Sequence, residues 1–165
     1  MEHLEIERKY LIRLPEKHLL DSFSSSQIEQ IYILCGEGGR ERIRCRETEG
    51  KKVYTHTAKK RVSDLTRIEI ENEISEEEYR SLMQQKDPGR DVLRKTRYLY
   101  PYRGQVFEID VFPFWHDRAL MELELNSEEQ PVLLPPDICI IRDVTAEKEY
   151  TNASIAKSIP FEKLA

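Results

Sequence analysis

Apolar and polar residues alternate with a period of two through most of this chain. Between residues 40 and 46, Arg40, Arg42, Arg44 and Arg46 share one parity, and Ile43 and Cys45 the other. Residues 65–74 repeat the pattern, with Arg67, Glu69, Glu71 and Glu73 set against Ile68, Ile70 and Ile74. Residues 106–112 place Glu108 and Asp110 opposite Ile109 and Val111, and residues 120–125 place Glu122 and Glu124 opposite Leu123 and Leu125. Residues 92–100 carry Lys95 and Arg97 together, and residues 4–11 carry Glu5, Glu7 and Lys9. Successive side chains of a strand point to opposite faces, so each set predicts a strand with one charged face. Residues 29–34 and 52–59 are further strands. Short helices are predicted over residues 15–20, entered through Pro15, over residues 75–83, with Ser75 and Glu78 as a capping box, and over residues 152–158. Residues 22–26 and 131–137 read as loops. Gly36–Gly39, Gly50 and Pro88–Gly89 read as turns. About eight strands with two or three short helices make an antiparallel α+β pattern, with no linker dividing residues 1–165, which are taken as a single domain.

The unusual feature is the composition of the polar face. Glu5 and Glu7 stand roughly 7 Å apart along an extended strand. At an effective dielectric of about 20 they repel by about 2 kcal/mol. Such a row needs cations, a metal or bulk water opposite it. A half-exposed sheet with its charges in water satisfies that requirement, and so does a closed barrel whose charged faces converge on its interior. Mixed Glu and Arg rows on so many strands favour closure.

Charge and cysteine content narrow the class. Charged residues make up 35% of the chain against 39% hydrophobic, and the net charge of −5 argues against a general nucleic-acid binder. Cys35, Cys45 and Cys139 are odd in number and lack metal-ligand spacing, which reads as reduced thiols in a cytoplasmic protein. No apolar run has transmembrane length, and the charged opening residues are unlike a signal peptide.

Glu5-x-Glu7-x-Lys9 resembles the signature of the CYTH domain, the triphosphate tunnel metalloenzymes. The resemblance continues through Arg42-x-Arg44, Thr57-x-Lys59, Arg67-x-Glu69-x-Glu71, Lys95-Thr96-Arg97, Glu108-x-Asp110, Glu122-x-Glu124 and Tyr150-Thr151-Asn152. It implies a closed or near-closed eight-stranded antiparallel barrel with short flanking helices, and places residues 150–158 as a helix across one tunnel end. It also implies a divalent cation, Mg²⁺ or Mn²⁺, and a small-molecule triphosphate as partner, with neither nucleic acid nor membrane; a homodimer is compatible with it. Two departures stand out. Arg94 occupies a position where similar members often have Glu, and residues 114–118 replace a glycine-containing turn at one tunnel mouth.

On this reading Lys9, Arg42, Arg44, Lys59, Lys95 and Arg97 bind phosphates, since a linear triphosphate concentrates charge that fixed cations must match. Glu5, Glu7, Glu69, Glu71, Asp110, Glu122 and Glu124 are the metal-ligand candidates, because carboxylates face phosphate usefully only with a hard cation between them. Glu5, Glu7 and Lys9 are the catalytic candidates. Competing structural roles are weighed for others: Arg40 and Arg46 as surface cations, Arg67 as a neutraliser of Glu69, and Glu73 and Glu108 as partners of arginines. His56 and His116 are expected to be structural or exposed, and Phe112, Phe114 and Trp115 to pack. The expected activity is metal-dependent hydrolysis of inorganic tripolyphosphate or an organic triphosphate. The alternatives are an adenylyl cyclase of the class IV type and a non-catalytic phosphate or nucleotide sensor.

Overall fold

The structure, a computed structural model, describes residues 2–35 and 39–164. All but Gly39 of the turn expected over Gly36–Gly39 therefore lies outside the described residues. Among the described residues nine strands form: β1 Glu2–Arg13, β2 Ser24–Cys35, β3 Gly39–Thr48, β4 Lys51–Arg61, β5 Thr66–Ile74, β6 Leu93–Tyr102, β7 Gln105–Val111, β8 Arg118–Glu124 and β9 Ile140–Asp143. Three short helices join them: α1 Lys17–Asp21, α2 Glu76–Leu82 and α3 Asn152–Lys157. The sheet runs β5-β4-β3-β2-β6-β7-β8-β1-β9, and β1 also pairs with β5, which closes β1 to β8 into an antiparallel ring. No helix among the described residues is long and apolar enough to cross a membrane.

Local chemistry accounts for the joints. The β3–β4 and β6–β7 turns pass through Glu49-Gly50 and Arg103-Gly104, all four residues having positive φ. Two-residue hairpins of this twist require that conformation at both positions. Ser75 caps α2, its Oγ accepting the amide of Glu78 at 3.1 Å. Thr151 does the same for α3 with the amide of Ser154.

Three apolar clusters hold the barrel. Two cover its outer face: Ile6, Tyr10, Ile109 and Met121 pack under Leu19 and Leu20 of α1, and Ile31, Ile33 and Ile43 pack under Tyr79 and Leu82 of α2. The third lies inside, where Leu11, Leu93, Phe112 and Leu120 meet Trp115, Tyr150 and Ile155. The expected terminal helix thus forms as α3, with Ile155 and Ala156 buried, and residues 144–153 bend over the barrel end beside it. Phe112, Phe114 and Trp115 pack on one another, with Trp115 Nε1 donating to the Pro160 carbonyl at 2.9 Å.

Two boundaries correct the sequence reading. The loop expected over residues 22–26 ends at Phe23, because Ser24, Ser25 and Ser26 pair with Leu99, Tyr98 and Arg97. Strand β9 was not anticipated; its Ile140 and Arg142 pair with Ile12 and Leu11 along an edge of β1 that β5 does not reach.

Phe112 is fully buried in the internal cluster. Phe112→Ala is expected to lower unfolding free energy by about 3–5 kcal/mol. Urea denaturation measures this, with a change under 1 kcal/mol counting against the cluster as the inner plug of the barrel.

Candidate functional site

Strand β3 builds one wall. Ile43 points outward and is fully buried, so its neighbours Arg42 and Arg44 must point inward. Their register partners are Tyr32 and Thr57 for Arg42, Gln30 and Thr55 for Arg44. None of the four carries a charge. Arg42 Nη2 donates to Thr57 Oγ1 at 3.4 Å, and Arg44 Nη2 lies 3.7 Å from a Glu71 carboxylate oxygen. The Nε of each guanidinium is buried without a hydrogen-bond partner. Burial, with Arg42 and Arg97 adding repulsion, pushes the Arg44 guanidinium down to about 10. A cationic wall in that condition is suited to an anion.

The centre of the barrel is the opposite case, with charges already matched. Asp110 accepts two bonds from Arg97, at 2.8 and 2.9 Å, and lies 2.8 Å from Lys95 Nζ. Burial alone would raise its carboxyl, but the two cations outweigh burial and hold it far below the usual carboxylate range. Arg97 also donates to Glu108 at 3.1 Å, the structural role weighed for Glu108 from sequence. Lys9 Nζ lies 3.4 Å from Glu122, which Lys9 and the nearby Arg97 and Lys95 hold down to about 2 against the effect of burial.

The acidic side is uneven. Lys59 bridges Glu5 at 2.9 Å and Glu69 at 3.4 Å. Glu71 accepts from Thr57 Oγ1 at 3.0 Å. The Glu7 carboxylate has no hydrogen-bond or ion-pair partner among the described residues, although its amide donates to the Leu65 carbonyl at 3.1 Å. Burial, then the charges of Glu122 and Glu5, push its carboxyl up to about 8. Glu124, in register with Glu7, lies on the same face but is exposed where β8 ends.

A cavity of about 330 Å³ opens beside these groups, lined by Glu5, Glu7, Lys9, Arg42 and Lys59 among the expected residues. Arg44, Lys95, Arg97, Asp110 and Glu122 stand behind that lining in the ion-pair network. Among the described residues no three of His, Cys, Asp and Glu gather closely enough to hold a metal ion as they stand. The lysines come between the carboxylates. A divalent cation nevertheless fits the donor set at Glu7, whose half-buried carboxylate lies near those of Glu5 and Glu122 and has no direct ion-pair partner among the described residues. Asp110 fits less well, since both its oxygens are engaged by Lys95 and Arg97.

Other expected roles resolve individually. Arg40 is exposed at the cavity rim, and Arg46 Nε donates to Ser26 Oγ at 2.9 Å. Arg67 donates to the Ser63 and Thr66 carbonyls instead of neutralising Glu69. His56 Nε2 sits 2.6 Å from Glu41, and His116 is exposed. Sequence reasoning missed Thr145, whose Oγ1 accepts the Lys9 amide at 2.9 Å, and the Tyr150 carbonyl, which accepts from Lys9 Nζ at 3.2 Å. Neither is signalled locally, since both depend on how the C-terminal segment folds back.

The comparisons with known proteins agree with this architecture. The CYTH domain family model matches residues 3–138. The inorganic triphosphatase of Nitrosomonas europaea is 33% identical over 164 residues, covering 94% of this chain and 99% of that protein. The crystal structure of the inorganic triphosphatase NE1496 superposes with TM-score 0.57 at 29% identity, covering 95% of this chain and all of the other. PH1819 from Pyrococcus horikoshii, at 20% identity and TM-score 0.55 over 75% of this chain and 80% of its own, shows a shared fold.

The Glu7 carboxyl generates a prediction about pH. Its folded pKa of about 8 lies above the unfolded value of about 4.3. The folded state therefore holds the proton more tightly. That contribution is complete below about pH 4 and is lost as the pH rises toward 8. Glu7→Gln, measured without metal at pH 8, should melt higher by about 2–8 °C, corresponding to about 1–2 kcal/mol, and the gain should vanish near pH 4. A variant melting lower at pH 8 would show that Glu7 has a stabilising partner.

Proposed function

The chain belongs to the CYTH domain family, and on that premise we propose that it hydrolyses a linear triphosphate, inorganic tripolyphosphate in preference to ATP, with Mg²⁺ or Mn²⁺. The observation that carries this reading is the pair of buried, unpartnered Nε atoms of Arg42 and Arg44. They share a barrel interior with the uncompensated carboxylate of Glu7. A ligand that is strongly anionic along its length and also binds a divalent cation satisfies both. The Nitrosomonas europaea relative is an inorganic triphosphatase, and this chain retains the whole charged set on which the resemblance rests. The free cysteines suit a reducing compartment, which supports a cytoplasmic location.

Arg42 and Lys59 at the cavity wall grip phosphate oxygens through charge-assisted bonds, and Arg44 adds positive charge from behind Arg42. Lys9 has three ammonium protons, of which Glu122 and the Tyr150 carbonyl engage two. The third can meet a phosphate oxygen as charge develops. Glu5, Glu7 and Glu122 would hold the metal, which when bound supplies neutralisation between carboxylate and phosphate and a more acidic water. The ion pairs of Asp110 keep Lys95 and Arg97 oriented behind the site. Water adds to a terminal phosphorus, the bridging P–O bond breaks, and pyrophosphate leaves with orthophosphate. Among the described residues no comparable set orients a ribose hydroxyl toward an α-phosphorus, which cyclase chemistry requires.

Phosphorus NMR of tripolyphosphate and ATP incubated with protein and either metal tests the reading. Pyrophosphate and orthophosphate should accumulate from tripolyphosphate faster than any product from ATP. Lys9→Ala should lose on the order of 100-fold in kcat/KM. Cyclic AMP with pyrophosphate would establish a cyclase, and tight binding without product would establish a sensor.

A further inference from the structure

Besides its pairing with Glu122 on β8, Lys9 is held by the C-terminal segment. Its amide donates to Thr145 Oγ1 at 2.9 Å, its carbonyl accepts from the Val144 amide at 2.9 Å, and its ammonium donates to the Tyr150 carbonyl at 3.2 Å. All three partners lie on the strap of residues 144–152, which lines the cavity. Farther along the strap, Asn152 Oδ1 accepts from Lys95 Nζ at 3.5 Å. The strap therefore holds Lys9 and also touches Lys95, which Asp110 anchors.

One guanidinium ties the strap to the C-terminal tail. Arg142, two residues before Val144, donates from Nε and Nη2 to Glu147 at 2.9 and 2.8 Å. It donates from Nη1 and Nη2 to Glu162 at 2.8 and 2.6 Å. The Tyr150 hydroxyl donates to the same Glu162, and the Arg142 guanidinium lies 5.6 Å from the centre of the Tyr150 ring. Tyr150 is thus clamped on its side chain while its carbonyl holds Lys9. Without Arg142, Glu147 and Glu162 would face each other as like charges, and the tail would be driven off the strap. Arg142 itself does not line the cavity.

We infer that Arg142 is a positioning residue for the Lys9 ammonium: it locks Tyr150 through Glu147 and Glu162, and Tyr150 in turn aims that ammonium into the cavity. The functional half of this inference rests on the reading of the cavity as a triphosphate site; the geometric half does not. Only a forked, planar cation can hold two carboxylates in this way, so lysine is a poor substitute.

The test uses the full chain with ¹⁵N-labelled lysine side chains, the Lys9 Nζ signal being the one missing from Lys9→Ala. In folded Arg142→Ala that signal should move. In Glu162→Gln, a milder change that keeps side-chain size, it should move less and in the same direction. An unmoved Lys9 signal in either folded variant overturns the inference, whether or not the wild-type protein turns over tripolyphosphate. The kinetic arm then follows. Arg142→Ala should raise KM for tripolyphosphate about tenfold, and Arg142→Lys should not restore it. In the Lys9→Ala background, Arg142→Ala should cause no further loss, because its effect passes through Lys9. Losses that multiply in the double variant would mean a general structural role and would also overturn it. Wild-type protein inert toward tripolyphosphate, with the Lys9 signal still moving, would retire the proposed substrate and leave the positioning role in place.

Discussion

Asp110 carries two buried cations, and the charged interior of this barrel depends on that arrangement. Breaking a buried ion pair by removing one partner costs about 3–5 kcal/mol, because the other charge is left without water. The barrel meets this constraint through register. Asp110 lies directly across from Arg97, Lys9 across from Glu122, and Lys59 across from Glu69. Directly opposed side chains on one face are the closest neighbours in a sheet, so pairing the strands pairs the charges. Among the described residues that balance is broken, for example, beside the cavity. Arg42 and Arg44 face neutral residues on both neighbouring strands, and Glu7 faces another carboxylate, Glu124. The polypeptide thus leaves positive and negative vacancies across one cavity, and a metal-bound polyanion can fill both.

The depth of the cavity is set by a change of residue type along the inward face of four strands. Stepping two residues along the inward face, Lys9 gives way to Leu11, Lys95 to Leu93, Asp110 to Phe112 and Glu122 to Leu120. Those four apolar side chains form the inner cluster with Trp115, Tyr150 and Ile155. Water is excluded there, and charge–charge interactions just above it act in a lower effective dielectric than at the rim. The contrast is visible between Lys95–Asp110, almost fully buried, and Arg8–Asp143 on the outside, both partly exposed. The second pair contributes little stability at the surface.

Alternation made the strands legible from sequence, because β-branched or long aliphatic residues on one parity fix the buried face and leave the other parity to the interior. Where alternation is weak, the reading lost boundaries. Ser24, Ser25 and Ser26 have little intrinsic strand preference, and they become strand by pairing with β6. Residues 140–143 are only four long and carry no alternation. Which candidates would be matched and which left open was not legible, because it depends on partners far along the chain. Asp110 and Glu7 are both acidic residues on alternating strands. One is held ionised by Arg97 and Lys95, whereas the other is driven toward its protonated form by burial and by Glu122 and Glu5. Proximity in sequence distinguishes neither.

Strand β1 ties these strands of argument together, because it is longer than the partner that closes the ring. Its twelve residues meet β5 only over residues 2–6, while β8 pairs along the other edge from Glu7 onward. Residues 10–12 would otherwise present an open edge, which folded proteins rarely leave uncovered. Strand β9 covers it. Once β9 is placed there, the chain that follows has little freedom. Val144 and Thr145 close on the Lys9 main chain, and the turn through Tyr150 falls across the barrel end. The segment that completes the cavity is therefore positioned by the need to protect a strand edge. Its polar groups reach the lysines as a consequence of where that edge is left open.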